Sequence, residues 1–236
     1  MTPTDSIARS GRRSLVRVLA GAAVACSCLP AAASASPAVR RSAAGDALAS
    51  GVLLQRVDLG RGWSAVGGQQ VGTLTCPGLH VSLRGVTETG AAVSRRFSHG
   101  ASGPFVSQTA FVYASPAEQG EVWDRVMTPG YSRCAAASLL SGATGRVRFQ
   151  VSRRQRLSLP RVAARQAGYR VVGDAIAGSV TIPVYLDVVA LGAGPVLTEI
   201  SVSSFDQPVS RRLELSLARA VARRLHAPLP RLRVGG

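Results

Sequence analysis

The sequence predicts an α+β domain: an antiparallel sheet built from hairpins, with helices packed on one face of it. The predicted order of elements is a helix, two strands, a pair of helices, four strands and a final helix. Strands that pair as hairpins, with helices packed on the sheet they form, are typical of α+β folds. The 13 prolines and 25 glycines interrupt the chain often enough to favour short strands and turns over long helices.

The first 35 residues predict a cleaved export signal that is not part of the fold. A basic region containing Arg12 and Arg13 precedes a short alanine-rich apolar stretch, and Ala33-Ser34-Ala35 offers the small residues that a signal peptidase requires. The apolar stretch is too short and too weakly hydrophobic for a permanent membrane span. Gly11 to Arg17 resembles the twin-arginine export motif, and export by the Sec route is the alternative.

Cys26 leaves a second way of processing open. Ala-Val-Ala-Cys26 resembles a lipoprotein box, in which the cysteine is lipidated and becomes the first residue, but it lacks leucine three positions earlier. The alternative is that Cys26 is discarded with the signal peptide. Either way we expect the mature protein outside the cytoplasmic membrane, extracellular or in the cell envelope. It would be lipid-anchored only if Cys26 is modified, and any other membrane association would be peripheral.

The mature chain is predicted to be one disulfide-tied domain. Residues 36–44 form a small-residue linker, residues 45–227 the domain, and residues 228–236 a C-terminal tail. Removal of residues 1–35 leaves Cys76 and Cys134, an even pair in an oxidising compartment, which predicts a structural disulfide. Closing a loop of this length removes roughly 4 kcal/mol of unfolded-chain entropy.

The elements before the helix pair are the least regular. Residues 45–57 predict a helix that is weakened by Gly51. Residues 91–98 predict a strand, and a loop rich in glycine and serine leads from it to the next strand at Phe105. These two strands are expected to pair as a hairpin.

A strand followed by two helices is predicted over residues 105–141. The apolar run of residues 105–114 is rich in β-branched and aromatic side chains, which favours a strand. Ser115, Pro116 and Glu118 then predict a helix start: the serine can cap, proline is tolerated at the first position, and the glutamate can reach back to the serine amide. Residues 128–130 break this helix, and a second short helix follows.

Four strands and a helix complete the domain. Residues 145–152 alternate with their arginines in solvent, residues 167–174 form the next strand, and residues 180–203 form a hairpin around a Gly-Ala-Gly-Pro turn. In the last strand the apolar residues are expected to face the core and the polar residues solvent, the latter being Glu199, Ser201 and Ser203. Residues 208–226 have leucine and valine at helical spacing and predict the final helix.

A spaced pattern extends over residues 48–226. It consists of Leu53-Leu54, Asp58-Leu59, Gly62-Trp63, Cys76-Pro77-Gly78-Leu79, Phe111-Val112-Tyr113, Val122-Trp123, Tyr131-Ser132-Arg133-Cys134, the run from Tyr169 to Asp174, the run from Leu186 to Val189 and the run from Ala222 to Leu225. This pattern resembles the PknH-like extracellular sensor domain family of actinobacterial exported proteins and lipoproteins. The resemblance implies an α/β sandwich-like sensor or binding module with a cleft for a ligand. This chain departs from the family pattern with only two cysteines in its mature part and no kinase domain, so we do not expect it to signal across the membrane directly.

The charge pattern predicts an anionic partner. All 28 basic residues are arginine, and the net charge is +16. Ten arginines and no acidic residue lie between Asp124 and Asp174. Seven of them form a candidate anion-binding face: Arg146, Arg148, Arg153, Arg154, Arg156, Arg161 and Arg165. The alternative is a solvated segment without a binding role, whose many arginines reflect the codon bias of a GC-rich genome. Few aromatic residues interleave the arginines, so nucleic acid is not an expected partner.

No catalytic or metal-binding motif is present. The sequence contains no HExxH, paired CxxC or GxSxG motif, and Asp174 and Asp187 would form an acid pair only if their strands adjoin; we expect solvated carboxylates instead. We therefore expect neither an enzyme nor a metal or cofactor. The favoured hypothesis is an exported sensor or ligand-binding module with a small ligand. The alternatives are a structural protein that binds anionic wall polymer or lipid through its arginines, and an unrecognised hydrolase.

Overall fold

The computed structural model describes residues 36–67, 81–141 and 147–227. Five helices are described: α1 (Ala43–Gly51), α2 (Arg56–Leu59), α3 (Pro116–Val126), α4 (Tyr131–Ser141) and α5 (Arg211–His226). Nine strands are described: β1 (Ala38–Val39), β2 (Ser64–Ala65), β3 (Thr87–Val93), β4 (Phe97–Ser98), β5 (Phe105–Tyr113), β6 (Arg148–Arg156), β7 (Arg165–Ala177), β8 (Val180–Ala193) and β9 (Val196–Phe205).

The strands form one sheet, which confirms the predicted α+β class. The order is β1-β3-β5-β9-β8-β7-β6, with β2 and β4 paired off this path. All pairs are antiparallel except β1 with β3. Three successive antiparallel pairs join β6 to β9, and the pairing of β5 with β9 brings the first half of the chain beside the second.

Helix α3 begins as the sequence predicts, with one difference. The Ser115 side chain accepts a hydrogen bond from the Glu118 amide, and Pro116 occupies the first helical turn. The Glu118 carboxylate does not reach back to the Ser115 amide. It accepts a hydrogen bond from the Thr87 amide at 2.6 Å instead, and so ties the start of α3 to β3.

Helices cover both faces of the sheet, so the expectation of helices on one face was wrong. Phe111 of β5 belongs to a buried cluster with Val122 of α3 and with residues of α4. Val106 of the same strand belongs to a second cluster with Leu217 of α5. Residues at odd and even positions of a strand point to opposite faces, so α3 and α4 lie on one face and α5 on the other.

The chain from residue 36 to residue 44 is not simply a linker. Ala38 and Val39 pair in parallel with β3, and α1 begins at Ala43. The Ser42 side chain caps α1 by accepting a hydrogen bond from the Gly45 amide at 3.0 Å. This helix ends at Gly51 and does not run to residue 57 as predicted. A separate short helix, α2, begins at Arg56.

Several predictions fall on residues outside the described ranges. They are the export signal, the lipidation of Cys26, the C-terminal tail and the position of Arg146. Cys134 lies buried on α4, 5% exposed, but Cys76 is not among the described residues, so their pairing stays a prediction. Within the described ranges, no helix is both long enough and apolar enough to cross a membrane.

Candidate functional site

A β-bulge in β6 sets the direction of the arginines that follow it. β6 is an edge strand that pairs with β7. Val151 lies opposite Gly173 and Arg153 lies opposite Val172, so Ser152 is the extra residue between them. The Ser152 hydroxyl donates a hydrogen bond to the Val172 carbonyl at 3.2 Å.

The bulge moves the alternation of β6 by one residue. Before it, Val151 packs against the core beneath α4. After it, Arg154 lies opposite Val171, which belongs to the same core, so Arg154 is on the α4 side of the sheet. Arg153 is on the other side. Strict alternation from Val151 would have placed Arg153, and not Arg154, towards α4.

A groove of about 580 Å³ lies between α4 and β6. Its volume is within the range of small-molecule sites, roughly 300–1,000 Å³. Helix α4 provides one wall and the bulged part of β6 the other. The lining residues are Arg133, Ala136, Ala137, Val151, Ser152, Arg153 and Arg154.

The groove carries uncompensated positive charge. The side chains of Arg133, Arg153 and Arg154 are exposed, and none of them forms an ion pair or a hydrogen bond with the other residues that the structure describes. Each of the three guanidinium groups therefore keeps all five of its N–H donors available to a ligand. Guanidinium groups suit phosphate and carboxylate because their planar forks match two acceptor oxygens at once.

The arginines predicted as one face are divided by the structure. Arg154 lines the groove from the α4 side of the sheet, and Arg153 also lines it although it projects from the other face of this edge strand. Arg148, Arg156 and Arg161 are exposed outside the lining. Arg165 forms an ion pair with Asp124 of α3 at 3.3 Å. Arg133, on α4, was not in the predicted set. It lies about 20 residues from the other two in sequence, and only the packing of α4 beside β6 brings it to them.

Polar side chains of β9 lie beneath α3 and α4, and the expectation that they face solvent was wrong. Ser203 is 3% exposed, and Glu199 and Ser201 are half-buried. The Tyr131 hydroxyl of α4 donates a hydrogen bond to the Glu199 carboxylate, and the Ser201 hydroxyl donates another at 3.3 Å. Burial raises the pKa of Glu199, and these two hydrogen bonds lower it by less. The contact fastens α4, and therefore one wall of the groove, to the sheet.

A buried ionic cluster holds α5 on the opposite face. Arg170 donates from Nε to Asp187 at 2.6 Å and from Nη2 to Glu214 of α5 at 2.7 Å. Asp187 is therefore buried and paired, not solvated as expected. It does not form an acid pair with Asp174, because Asp174 lies opposite Pro183. Burial, and then the neighbouring Asp187, raise the pKa of Glu214 to about 8.

The described histidines lie away from the groove. His99 is exposed and packs on Trp63, with ring centroids 5.4 Å apart, and His226 is exposed at the end of α5. In the part of the chain that the structure describes, no three His, Cys, Asp or Glu side chains are placed to hold a metal ion. The chemistry that the groove itself offers is the binding of an anion by guanidinium groups.

Comparisons with known proteins show a resemblance at the level of the fold. No protein-family profile matches the sequence, and no curated protein matches it. Among solved structures, the fold is similar to the extracellular domain of PknH from Mycobacterium tuberculosis, with a TM-score of 0.43 and 9% sequence identity, over 76% of this chain and 95% of that one. This is a resemblance of folds only, and it assigns no function to the groove.

Proposed function

We propose that this protein is an exported, non-enzymatic ligand-binding or sensor module of the cell envelope, and that it binds an anionic ligand in the groove between α4 and β6. One observation carries the proposal: three exposed arginines, Arg133, Arg153 and Arg154, surround an open groove without a carboxylate partner among the described residues. The net charge of +16 adds a long-range attraction for anions.

The arrangement favours binding by several contacts of modest strength. An exposed ion pair contributes only about 0.2–1 kcal/mol, so a single arginine would not retain a ligand. Three guanidinium groups around one groove can contact one multivalent anion, or successive anionic groups of a polymer, at the same time. Because the groups are exposed, salt should weaken this binding strongly.

Retention on cell envelopes tests the proposal. The mature protein, from Ser36, would be co-sedimented with purified cell walls and with vesicles containing phosphatidylglycerol, at low and at high salt. We expect retention at low salt on at least one of these and release at high salt. Absence of retention at both salt concentrations would contradict an anionic envelope ligand.

A matched pair of variants separates the groove from overall charge. The triple variant R133S/R153S/R154S removes three positive charges from the groove, and R211S/R212S/R219S removes three exposed charges from α5, on the other face of the sheet. We expect the groove variant to lose retention and the α5 variant to keep most of it. Equal losses would show that the net charge, and not the groove, is responsible.

The place of export is a separate part of the proposal. Determination of the N-terminal residue of the secreted protein would decide between cleavage before Ser36 and lipidation of Cys26. A protein that stays in the cytoplasm would contradict an envelope function altogether.

A further inference from the structure

We infer that the groove between α4 and β6 binds an amphipathic anion: a phosphate or carboxylate headgroup joined to a single apolar chain. The inference deepens the proposed function and rests on it, because the binding site is the same. It goes further in stating that part of the ligand is apolar, and that this part lies inside the groove.

The two sides of the groove differ in their chemistry. Ala136 and Ala137 of α4 and Val151 of β6 line it with methyl groups. Ala136 is buried, and the half-buried Ala137 and Val151 leave an apolar surface open to solvent. A hydrophilic polyanion would gain nothing from this surface. An alkyl chain would remove it from water, and each buried methylene should strengthen binding about fourfold.

The charged residues place the headgroup at the rim. Arg133 lies on α4, beside the alanines, and Arg153 and Arg154 follow Val151 directly after the bulge. The Ser152 hydroxyl already donates to the Val172 carbonyl, so it is not a donor for the ligand. The donors for a headgroup are therefore the three guanidinium groups. These form the same kind of charge-assisted hydrogen bond with phosphate and with carboxylate.

Calorimetric titration of the mature protein tests the two halves of the ligand separately. The probes are octyl phosphate, hexyl phosphate, octanoate, inorganic phosphate and octyl glucoside, each below the concentration at which it forms micelles. We expect octyl phosphate to bind at least tenfold more tightly than inorganic phosphate. Removal of two methylenes, in hexyl phosphate, should weaken binding about fifteenfold, and octyl glucoside should show no binding. Comparison with octanoate identifies the preferred headgroup.

A substitution in the apolar part of the groove provides the matched control. A137Q fills the groove with an uncharged side chain that a helix tolerates, and it leaves all three arginines in place. We expect it to lose the dependence of affinity on alkyl-chain length, so that octyl phosphate and hexyl phosphate bind with similar affinity. V151T conserves side-chain volume and replaces a methyl group with a hydroxyl. It should also weaken the binding of octyl phosphate, and it replaces A137Q in this test if A137Q does not fold.

The outcomes distinguish this inference from the proposed function. Equal affinities for octyl phosphate and inorganic phosphate, with salt-sensitive retention on envelopes, would overturn the amphipathic ligand and leave the anion-binding module standing. Binding of vesicles without binding of monomeric octyl phosphate would likewise overturn a single chain in the groove. Failure of both experiments would overturn both proposals.

Discussion

The buried Glu214 carboxyl makes the stability of this protein dependent on pH. Arg170 is hydrogen-bonded to two carboxylates, Asp187 and Glu214, which are 0% and 2% exposed. One guanidinium compensates one negative charge, so ionisation of both acids leaves a buried negative charge that is not compensated. Glu214 therefore holds its proton in the folded protein well above the pH at which an unfolded chain releases it.

The direction and the size of the effect follow from this. The pKa of Glu214 is about 8 in the folded protein and 4.5 as a reference for the unfolded chain. Between these values the folded state binds the extra proton, so its stabilisation is complete below pH 4.5, decreases as pH rises, and is lost above pH 8. At about 1.4 kcal/mol per pH unit the upper limit is about 5 kcal/mol, and we expect a loss of between about 2 and 5 kcal/mol.

The variant E214Q removes the titration and keeps the geometry. The amide oxygen can accept the hydrogen bond from Arg170, and the amide NH₂ can donate to Asp187 as the protonated acid does. We expect E214Q to equal the wild type in stability near pH 5 and to exceed it near pH 9. Urea unfolding of both proteins at intervals across this range measures the difference.

The difference between the two proteins is the informative quantity. Burial also raises the pKa of Glu88 and Glu199, so the wild type has further contributions of the same sign, but these are shared by E214Q and cancel. E121Q provides the control, because Glu121 is exposed on α3 and pairs with Arg125 there. Parallel stability curves for the wild type and E214Q would refute the argument.

Two further substitutions test how the helices are fastened to the sheet. Y131F removes the phenol that donates to Glu199, and it should destabilise the protein by about 1–3 kcal/mol in denaturant unfolding; an unchanged unfolding midpoint would contradict a structural role of this bond. In G45A the new methyl group would collide with the Thr89 carbonyl where α1 crosses β3, so we expect a loss of at least about 2 kcal/mol in thermal or denaturant unfolding. G51A, at the end of the same helix, has nothing within 4 Å and should cause no loss; equal effects would contradict the close packing at Gly45.

Local patterns predicted most of the elements correctly. The helix start at Ser115-Pro116 and the hairpin of β8 and β9 were both predicted, because capping residues and glycine turns act within a few residues of the chain. The strand boundaries were less accurate: β6 continues to Arg156. A bulge interrupts the alternation of this strand, and the sequence contains no marker for it.

What could not be predicted depends on contacts between distant segments. Alternation in β9 shows that Glu199 and Ser201 share a face, but not that α3 and α4 cover that face. Asp187 looks like a solvated carboxylate until Arg170 is placed opposite it by the pairing of β7 with β8. The groove depends in the same way on α4 packing beside β6, which brings Arg133 to the arginines that follow the bulge.

The groove and the half-buried Glu199 are physically linked through α4. Tyr131 is the first residue of this helix; its hydroxyl donates to Glu199, and its ring packs on Tyr169 with ring centroids 5.5 Å apart. Arg133, two residues later in the same helix, lines the groove. Loss of the Tyr131 hydroxyl should therefore loosen one wall of the groove without changing any residue in it. We expect Y131F, under conditions where it remains folded, to bind octyl phosphate several-fold more weakly than the wild type. Unchanged affinity in a destabilised Y131F would show that the groove keeps its shape without the hydrogen bond from Tyr131 to Glu199. The packing of the small residues of α4, among them Ala136, would then be sufficient to hold the helix against β6.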